Sequence, residues 1–458
     1  MDGNEILHIS QLCNNIFETE TYDKDFLDAL VKYADLLLSS SSSDPNQIQP
    51  DENYQALIML MSKLVVVSFK ILPDFVFHQL FRSIVAFNLH FFSISKQDYT
   101  QFINEWPIPF SRNYLVSILS NFLPSIDKKP IIAEFSLATL FLYIYFSNEP
   151  IHNPFLIAIN QISSDLFPLV FDSIQLSLST SLFSVILFYT LVTQSPTFKA
   201  YCLSCVDVSW SFSLVSALNN ILDKNEQIEI RLNILLIFTE DTEFSLALSK
   251  DPNVISLKII RELLSLIREK ITNNSKSSPN IIMTCLSIML NIGQKISSFD
   301  GQTADSVFSL LKFLIKHKEA NSEYLEYIKL LVMFIEAICV HRTRYNVELI
   351  YSVLRQFEVL DKITEMCNAS QKSVDFYRCL QNLQKMKDFM VENIIEKNKN
   401  ITDYQNMLIL LTSCIEAWNT EEFFQVVPYP SYTYLLNDFQ KSLNFFRVMI
   451  LKEIQSML

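Results

Sequence analysis

Apolar residues recur at i, i+3, i+4 and i+7 through most of the chain, the spacing that gathers them on one face of an α-helix. Within Ser306–Ile315 the row Val307, Leu310, Leu311 and Leu314 makes such a face, edged by Lys312, Lys316 and Lys318. Within Glu323–Val340 the row is Leu325, Ile328, Leu331, Val332, Ile335, Ile338 and Cys339. Proline has no N–H and a fixed φ, so helix boundaries are predicted at Pro73, Pro107, Pro109, Pro124, Pro130, Pro150, Pro154, Pro168, Pro196, Pro252, Pro279, Pro428 and Pro430. Many of the segments between them run roughly 12 to 20 residues, an ordinary helix length. Asp23, Asp51, Ser95, Ser209, Ser278 and Thr402 stand where N-caps belong, and Ser95 is the best of them because Asp98 follows three residues on.

No strand-like alternation competes with this pattern. Roughly twenty helices joined by short connections predict an all-α chain, an α-solenoid of degenerate armadillo/HEAT-like helical repeats of about 40 to 47 residues each. The pentaserine Ser39–Ser43 with Asp44, Pro45 and Asn46 marks a linker. It divides the chain into a short N-terminal helical segment (1–38), a Ser/Asp/Pro/Asn linker (39–54) and a continuous helical-repeat domain (55–458). Asn273–Pro279 is a second polar break, and Gln425–Tyr434, with two prolines and three tyrosines, is expected to be irregular.

Four apolar runs raise the question of a membrane span. Leu182–Val192 is only eleven residues, Ile131–Phe146 contains Glu134, Ala56–Phe69 contains Lys63, and Leu330–Val340 contains Glu336. A bilayer needs about 20 consecutive apolar residues, so these are read as buried core helices.

Composition narrows the function classes. There are three glycines, Gly3, Gly293 and Gly301, in 458 residues, where average usage would give about 32. Three isolated glycines cannot build a dinucleotide fingerprint, a P-loop or a nucleophile elbow, each of which needs glycine where backbone meets ligand or takes positive φ. The formal charge is −13 and the pI near 5.0, so most of the surface repels nucleic acid and no nucleic-acid partner is expected. The chain opens Met-Asp-Gly-Asn-Glu without a basic or apolar leader, so a cytoplasmic location is expected. The eight cysteines should then stay reduced, and the sequons at Asn273, Asn368 and Asn400 carry no meaning. The 36 phenylalanines are core filler, with a groove for a partner's helix as the sharper reading.

Candidate chemistry is sparse. Cys202-Leu-Ser-Cys205 has no second pair at zinc-finger spacing and no nearby histidine, and zinc needs four ligands. The six histidines (His8, His78, His90, His152, His317, His341) never stand four apart. Glu240-Asp241, after the apolar segment Ile228–Phe238, suits the capping of a following helix better than acid catalysis. Two basic groups stand out, His341-Arg342-Thr343-Arg344 and Lys385, Lys387, Lys397 with Lys399. They suit solvated helix ends, or contact with a phosphoinositide or an acidic partner. The expectation is therefore a non-enzymatic protein with no cofactor, metal or small-molecule substrate.

Four stretches carry a resemblance to the dymeclin family of Golgi-associated helical proteins. Asn153-Pro154-Phe155 with Ala158-Ile159 resembles the family's Asn-Pro-aromatic run, and Leu182–Tyr201 its leucine-rich Tyr-Thr-Leu segment through Tyr189, Thr190, Leu191 and Tyr201. Leu232–Phe244 is similar to the family's Leu-Thr-Glu-Asp box, at Thr239, Glu240, Asp241 and Phe244. Glu421-Glu422-Phe423-Phe424 with Pro428-Tyr429 is similar to its Glu-Glu-Phe-Phe-x-Pro-Tyr run, although Gln425–Val427 puts three residues where the pattern has one. Cys285–Leu311 and Val347–Leu354 look like the matching family segments, so the resemblance spans most of residues 130–440. Family members commonly begin Met-Gly, a myristoylation signal; here Asp2 precedes Gly3.

The resemblance implies a scaffold on the cytosolic face of the Golgi membrane. It would support Golgi organisation and early secretory vesicle traffic, with Golgi-associated proteins as partners and only peripheral membrane contact. The motif residues would serve structure or partner binding. Two alternatives stand beside it. One is the related high-temperature-induced dauer formation branch, acting at later Golgi and secretory-vesicle steps. The other is a soluble armadillo/HEAT adaptor for peptide cargo, which would want rows of Asn and Trp where this chain has only Trp106, Trp210 and Trp418.

Overall fold

In this computed structural model the described residues are 3–19, 21–22, 24–40, 52–67, 72–251, 254–273, 278–297, 299–317, 323–368, 374–395, 403–416, 424, 427–430 and 439–458. Among them all regular structure is helical, in 23 α-helices with short 3-10 and π-helical segments between some of them, and no strand.

Prolines open helices here more than they close them. Pro130, Pro154 and Pro196 are first helical residues, and Pro109 and Pro168 second ones. At those positions the missing N–H has no partner to lose. Capping follows the sequence at Ser95, whose hydroxyl accepts from the Asp98 N–H at 3.2 Å. Ser209 differs from expectation. Its backbone is already helical (φ −61°, ψ −29°) and its side chain caps nothing, while its N–H donates to Asp207. Asp403 accepts from the Asn406 N–H at 3.1 Å. Asp23, Asp51 and Thr402 lie outside the described residues, as does most of the linker.

The chain divides into two compact units, one formed by residues 1–204 with 434–458 and the other by 205–433. The first holds α1 (Gly3–Thr19), α2 (Lys24–Ser40), α3 (Glu52–Val67), α4 (Asp74–Ile94), α5 (Lys96–Asn104), α6 (Ile108–Ser117), α7 (Pro130–Tyr145), α8 (Pro154–Asn160), α9 (Phe167–Ser177), α10 (Leu182–Gln194) and α11 (Pro196–Ser204). The second holds α12 (Trp210–Ser216), α13 (Asn225–Thr239), α14 (Thr242–Lys250), α15 (Ile255–Thr272), α16 (Ser278–Gly293), α17 (Gly301–His317), α18 (Tyr324–His341), α19 (Val347–Arg355), α20 (Phe357–Asn368), α21 (Val374–Met390) and α22 (Tyr404–Glu416). The last helix, α23 (Phe439–Met457), returns to the first unit and packs on α7.

Inside each unit, although some long-range side-chain hydrogen bonds span 81 residues, as between Ser62 and Tyr143, or 38, as between Arg268 and the Ser306 carbonyl, many span 43 to 53. In the first unit they join Arg82 to Asp35 (47 residues apart), Ser147 to Asn104 (43), Tyr145 to Thr190 (45) and Ser117 to the Val65 carbonyl (52). In the second they join Lys270 to the Leu222 carbonyl (48), Ser297 to the Ser249 carbonyl (48), Asn346 to the Ile296 carbonyl (50) and Asn382 to Glu336 (46). Helices α13, α16, α18 and α21 form a row in which each packs on the next.

The apolar runs lie in the interior. Every residue of α7 from Phe135 to Tyr145 is buried, and so is every residue of α10 from Leu182 to Val192. No single described helix is long and apolar enough to cross a membrane; 154–160 and 164–177 pass a length test only together and are bent by 80°. The face expected on α17 is the buried one, with Val307, Leu310, Leu311 and Leu314 all inside. On α18 the expected stripe is too narrow: every residue from Leu330 to Cys339 is buried, Glu336 included, because α16, α17 and α21 surround the helix. Gly293 has a steric reason. A Cβ there would stand 2.7 Å from Cδ2 of Phe334 and 2.9 Å from Cε2, so α16 approaches α18 too closely for any side chain.

Candidate functional site

The Asn-Pro-Phe run forms a corner between α7 and α8. Helix α7 ends with carbonyls that have no helical partner. Asn153, fully buried, sits where its amide can serve both helices. Its Nδ2 donates to the carbonyls of Tyr143 (2.8 Å) and Ile144 (3.2 Å), and its Oδ1 accepts from the N–H groups of Phe155 (2.9 Å) and Leu156 (3.4 Å). Pro154 supplies the first helical φ of α8. Phe155 stacks on Tyr143 with centroids 5.0 Å apart, and both rings meet Trp106. The Tyr143 hydroxyl pairs with Ser62 (2.7 Å) and accepts from Asn88, which in turn accepts from Tyr99. Burial pushes the Tyr143, Tyr99 and Tyr114 hydroxyls far above the ordinary phenol value, so they stay neutral donors.

The Thr-Glu-Asp box turns α13 into α14. Asp241 accepts from the Phe244 N–H at 2.9 Å, capping α14, and Glu240 ends α13. Thr239 is buried, and its carbonyl accepts from the Ser245 hydroxyl at 2.8 Å. Phe244 packs on Phe238 and Trp210. Of the acidic pair, Asp241 is therefore a cap, as its position ahead of a helix suggested.

Of the Glu-Glu-Phe-Phe…Pro-Tyr run, Glu421, Glu422 and Phe423 lie outside the described residues, Phe424 is half-buried and Pro428 is exposed. Tyr429 belongs to the second unit and reaches into its interior. Its hydroxyl donates to Oε2 of Glu336 at 2.6 Å, while Nδ2 of Asn382 donates to Oε1 at 2.7 Å and the Cys379 thiol adds a third bond. Glu336 is 1% exposed. Burial pushes its carboxyl above the usual range, against the opposing pull of those three donors. The group thus pins residue 429 to α18 and α21. The sequence did carry a signal for it, a lone carboxylate inside an apolar run, but not its partners.

Glu134 and Glu229 are the other carboxylates that burial dominates. Desolvation pushes both up to about 7, with Ser181 donating to Glu134 and opposing the shift, and Glu453 and Glu226 respectively adding to it. Between the ordinary 4.5 and 7 these two groups hold protons in the folded chain that the unfolded chain has released, so the stability they contribute is highest below 4.5 and falls as pH rises through that window. Glu134→Gln is expected to stabilise the chain by about 1–2 kcal/mol at pH 8 and by almost nothing at pH 4.5. Thermal unfolding at the two pH values checks this, and an equal shift at both would refute it.

The remaining candidates are dispersed. Cys202 is buried in α11, and burial pushes the thiols of Cys285, Cys339 and Cys379 upward. Among the described residues no three His, Cys, Asp or Glu side chains gather as a metal site would require. An open cleft of about 640 Å³ is lined by Arg268, Asp305, Glu348, Tyr351, Arg355 and Tyr404. Its charges are taken up internally. Arg355 pairs with Asp305, Glu348 accepts from the Gly301 N–H, and Arg268 donates to the Ser306 carbonyl. Of the second basic group, Lys387 lies 4.0 Å over the Phe357 ring and 3.7 Å from Asp361, while Lys397 and Lys399 lie outside the described residues. The first group, around Arg342, is joined by Lys295 from the end of α16. Asn346 donates to the carbonyls of both Ile296 and Arg342 at 3.0 Å and holds the two turns together.

No curated protein matches the chain. A protein-family model described as Dymeclin: Dyggve-Melchior-Clausen syndrome protein matches residues 36–450, reaching well upstream of the motifs quoted above.

Proposed function

Since the chain belongs to the Dymeclin family across nearly its whole length, we propose that it is a non-enzymatic helical scaffold, peripherally attached to the cytosolic face of the Golgi membrane through Golgi-associated proteins. In that role it supports Golgi organisation and early secretory vesicle traffic.

The observation that carries the architectural part is the recurring offset. Many of the long-range hydrogen bonds within each unit link residues 43 to 53 apart, beside others at 38, 81 and 93. An offset that recurs in this way is what stacking repeats produce, because each repeat touches mainly its neighbours. It supports an α-solenoid of armadillo/HEAT-like repeats, whose extended surfaces suit partner binding. The side chains of Asn153, Asp241 and Tyr429 are engaged within the fold, which supports a structural role for the family motifs.

The test is the location of a C-terminally tagged chain in its own cells beside a cis-Golgi marker. Cis-Golgi signal that disperses on brefeldin treatment is the expected result. Signal on later secretory vesicles would favour the related branch. Uniform cytosolic signal in both conditions would overturn the Golgi reading and leave a soluble adaptor.

A further inference from the structure

The basic turn at the end of α18 has a chemistry that the scaffold role does not use. We propose that Lys295, Arg342 and Arg344, with the exposed Tyr345, form a contact site for a membrane surface that carries phosphoinositide headgroups. The proposal deepens the peripheral attachment argued above and rests on that reading.

Three observations carry it. First, the cations are brought together by tertiary structure and held there. The Asn346 amide ties the Ile296 carbonyl, beside Lys295, to the Arg342 carbonyl, and the Thr343 hydroxyl donates to the Cys339 carbonyl. Burial, and then the charges of Lys295 and Arg342, hold the adjoining His341 imidazole below its ordinary value.

Second, the cations are not spent on the protein. Cations at a helix C-terminus usually answer its unpaired carbonyls. Here the Ile338 carbonyl accepts from the Arg342 N–H, the Cys339 carbonyl from Thr343, and the Arg342 carbonyl from Tyr345 and Asn346. Among the described residues no carboxylate forms an ion pair with Lys295, Arg342 or Arg344, whereas Arg82, Lys129, Arg261 and Arg355 all have such partners. In a chain of net charge −13, a cluster of unanswered cations is a local reversal of sign.

Third, the turn ends in an aromatic ring. Tyr345 is 60% exposed beside the exposed Arg344. An amphipathic ring next to cations suits the headgroup layer of a bilayer, where tyrosine is enriched. A phosphate monoester concentrates more negative charge in a small volume than a single carboxylate does, which favours a phosphorylated headgroup over an acidic peptide.

The experiment uses the full chain in co-sedimentation with phosphatidylcholine vesicles, alone or with a phosphatidylinositol monophosphate, and with phosphatidylserine at matched charge. The expected order of binding is phosphoinositide above phosphatidylserine above phosphatidylcholine, with soluble inositol trisphosphate as a competitor. Each Lys or Arg near an anionic surface contributes roughly fivefold, so Lys295→Gln/Arg342→Gln/Arg344→Gln should weaken partitioning about a hundredfold. A control that loses as many charges elsewhere, Lys250→Gln/Lys312→Gln/Lys316→Gln, should bind as the parent does. Tyr345→Ser should weaken binding to vesicles but leave binding of soluble inositol trisphosphate intact.

Equal loss in the control, no preference for anionic vesicles, or capture of polyglutamate with no vesicle binding would each overturn the proposal. Circular dichroism of each variant separates loss of the site from loss of the fold. Vesicle binding by a chain that imaging finds uniformly cytosolic would keep the site and discard the Golgi reading. Golgi signal from a chain that ignores every vesicle would do the opposite.

Discussion

Asn153→Ala is expected to destabilise the first unit by about 3 kcal/mol, the largest single effect anticipated here. The side chain satisfies two carbonyls at the end of α7 and two N–H groups at the start of α8, all in a site without solvent access. Alanine removes the cap, worth about 1 kcal/mol. It also strands buried polar groups at about 1–3 kcal/mol each, partly relieved if water enters. Asn153→Ser keeps a capping oxygen and loses the long donor, so an intermediate loss is expected. Trp106 packs on Phe155 and Tyr143 and therefore reports on this corner. In a chain with Trp210→Phe and Trp418→Phe its fluorescence follows unfolding of the first unit in urea. A loss below about 1 kcal/mol would show that the corner tolerates an empty amide and that the account of the Asn-Pro-Phe run is wrong.

The second large effect is expected at Arg447, which fastens α23 to the end of α7. Its Nε donates to the Tyr145 carbonyl at 2.7 Å, and Nη2 donates to the Ser147 carbonyl and to Oδ1 of Asn148, both at 2.9 Å. The guanidinium also lies over the rings of Phe92 and Phe146, while the neighbouring Phe446 stacks on Tyr145 with centroids 4.6 Å apart. Hydrogen bonds from a charged donor contribute about 1.5–3 kcal/mol, so Arg447→Ala should make opening of α23 easier by about 2–3 kcal/mol. Amide exchange along residues 443–456 should then quicken roughly 30-fold or more, with smaller changes in α3 and α6. Arg447→Lys should fall between, because an ammonium cannot span three acceptors in the guanidinium's planar arrangement. Unchanged exchange in α23 would mean that Phe446 and its neighbours hold the helix without the arginine.

Much of this protein is written locally. Helix content follows from a period that needs only neighbours along the chain, and the faces of α17 show it. Ser95 and Asp241 cap the helices that they precede because an N-cap bond closes over two or three residues. The scarcity of glycine and the shortness of the apolar runs also limited what the chain could be before any contact was known.

Tertiary structure decided the rest, at residues whose partners are far away in sequence. Glu336 and Glu134 appeared only as charges interrupting apolar runs; which donors surround a buried carboxylate depends on the helices packed around it. Nothing near residue 447 announces that an arginine meets a carbonyl some 300 positions earlier. Lys295 joins the basic turn through the stacking of α16 on α18, with Gly293 leaving room for Phe334. The sequence by itself determined that the described chain is helical, where helices such as α5 and α14 begin and which face of α17 is apolar, because those depend on backbone geometry within a few residues. Which polar groups meet inside, and which cations are left facing outward, was decided only when the helices packed, because burial and charge pairing are properties of the assembled fold.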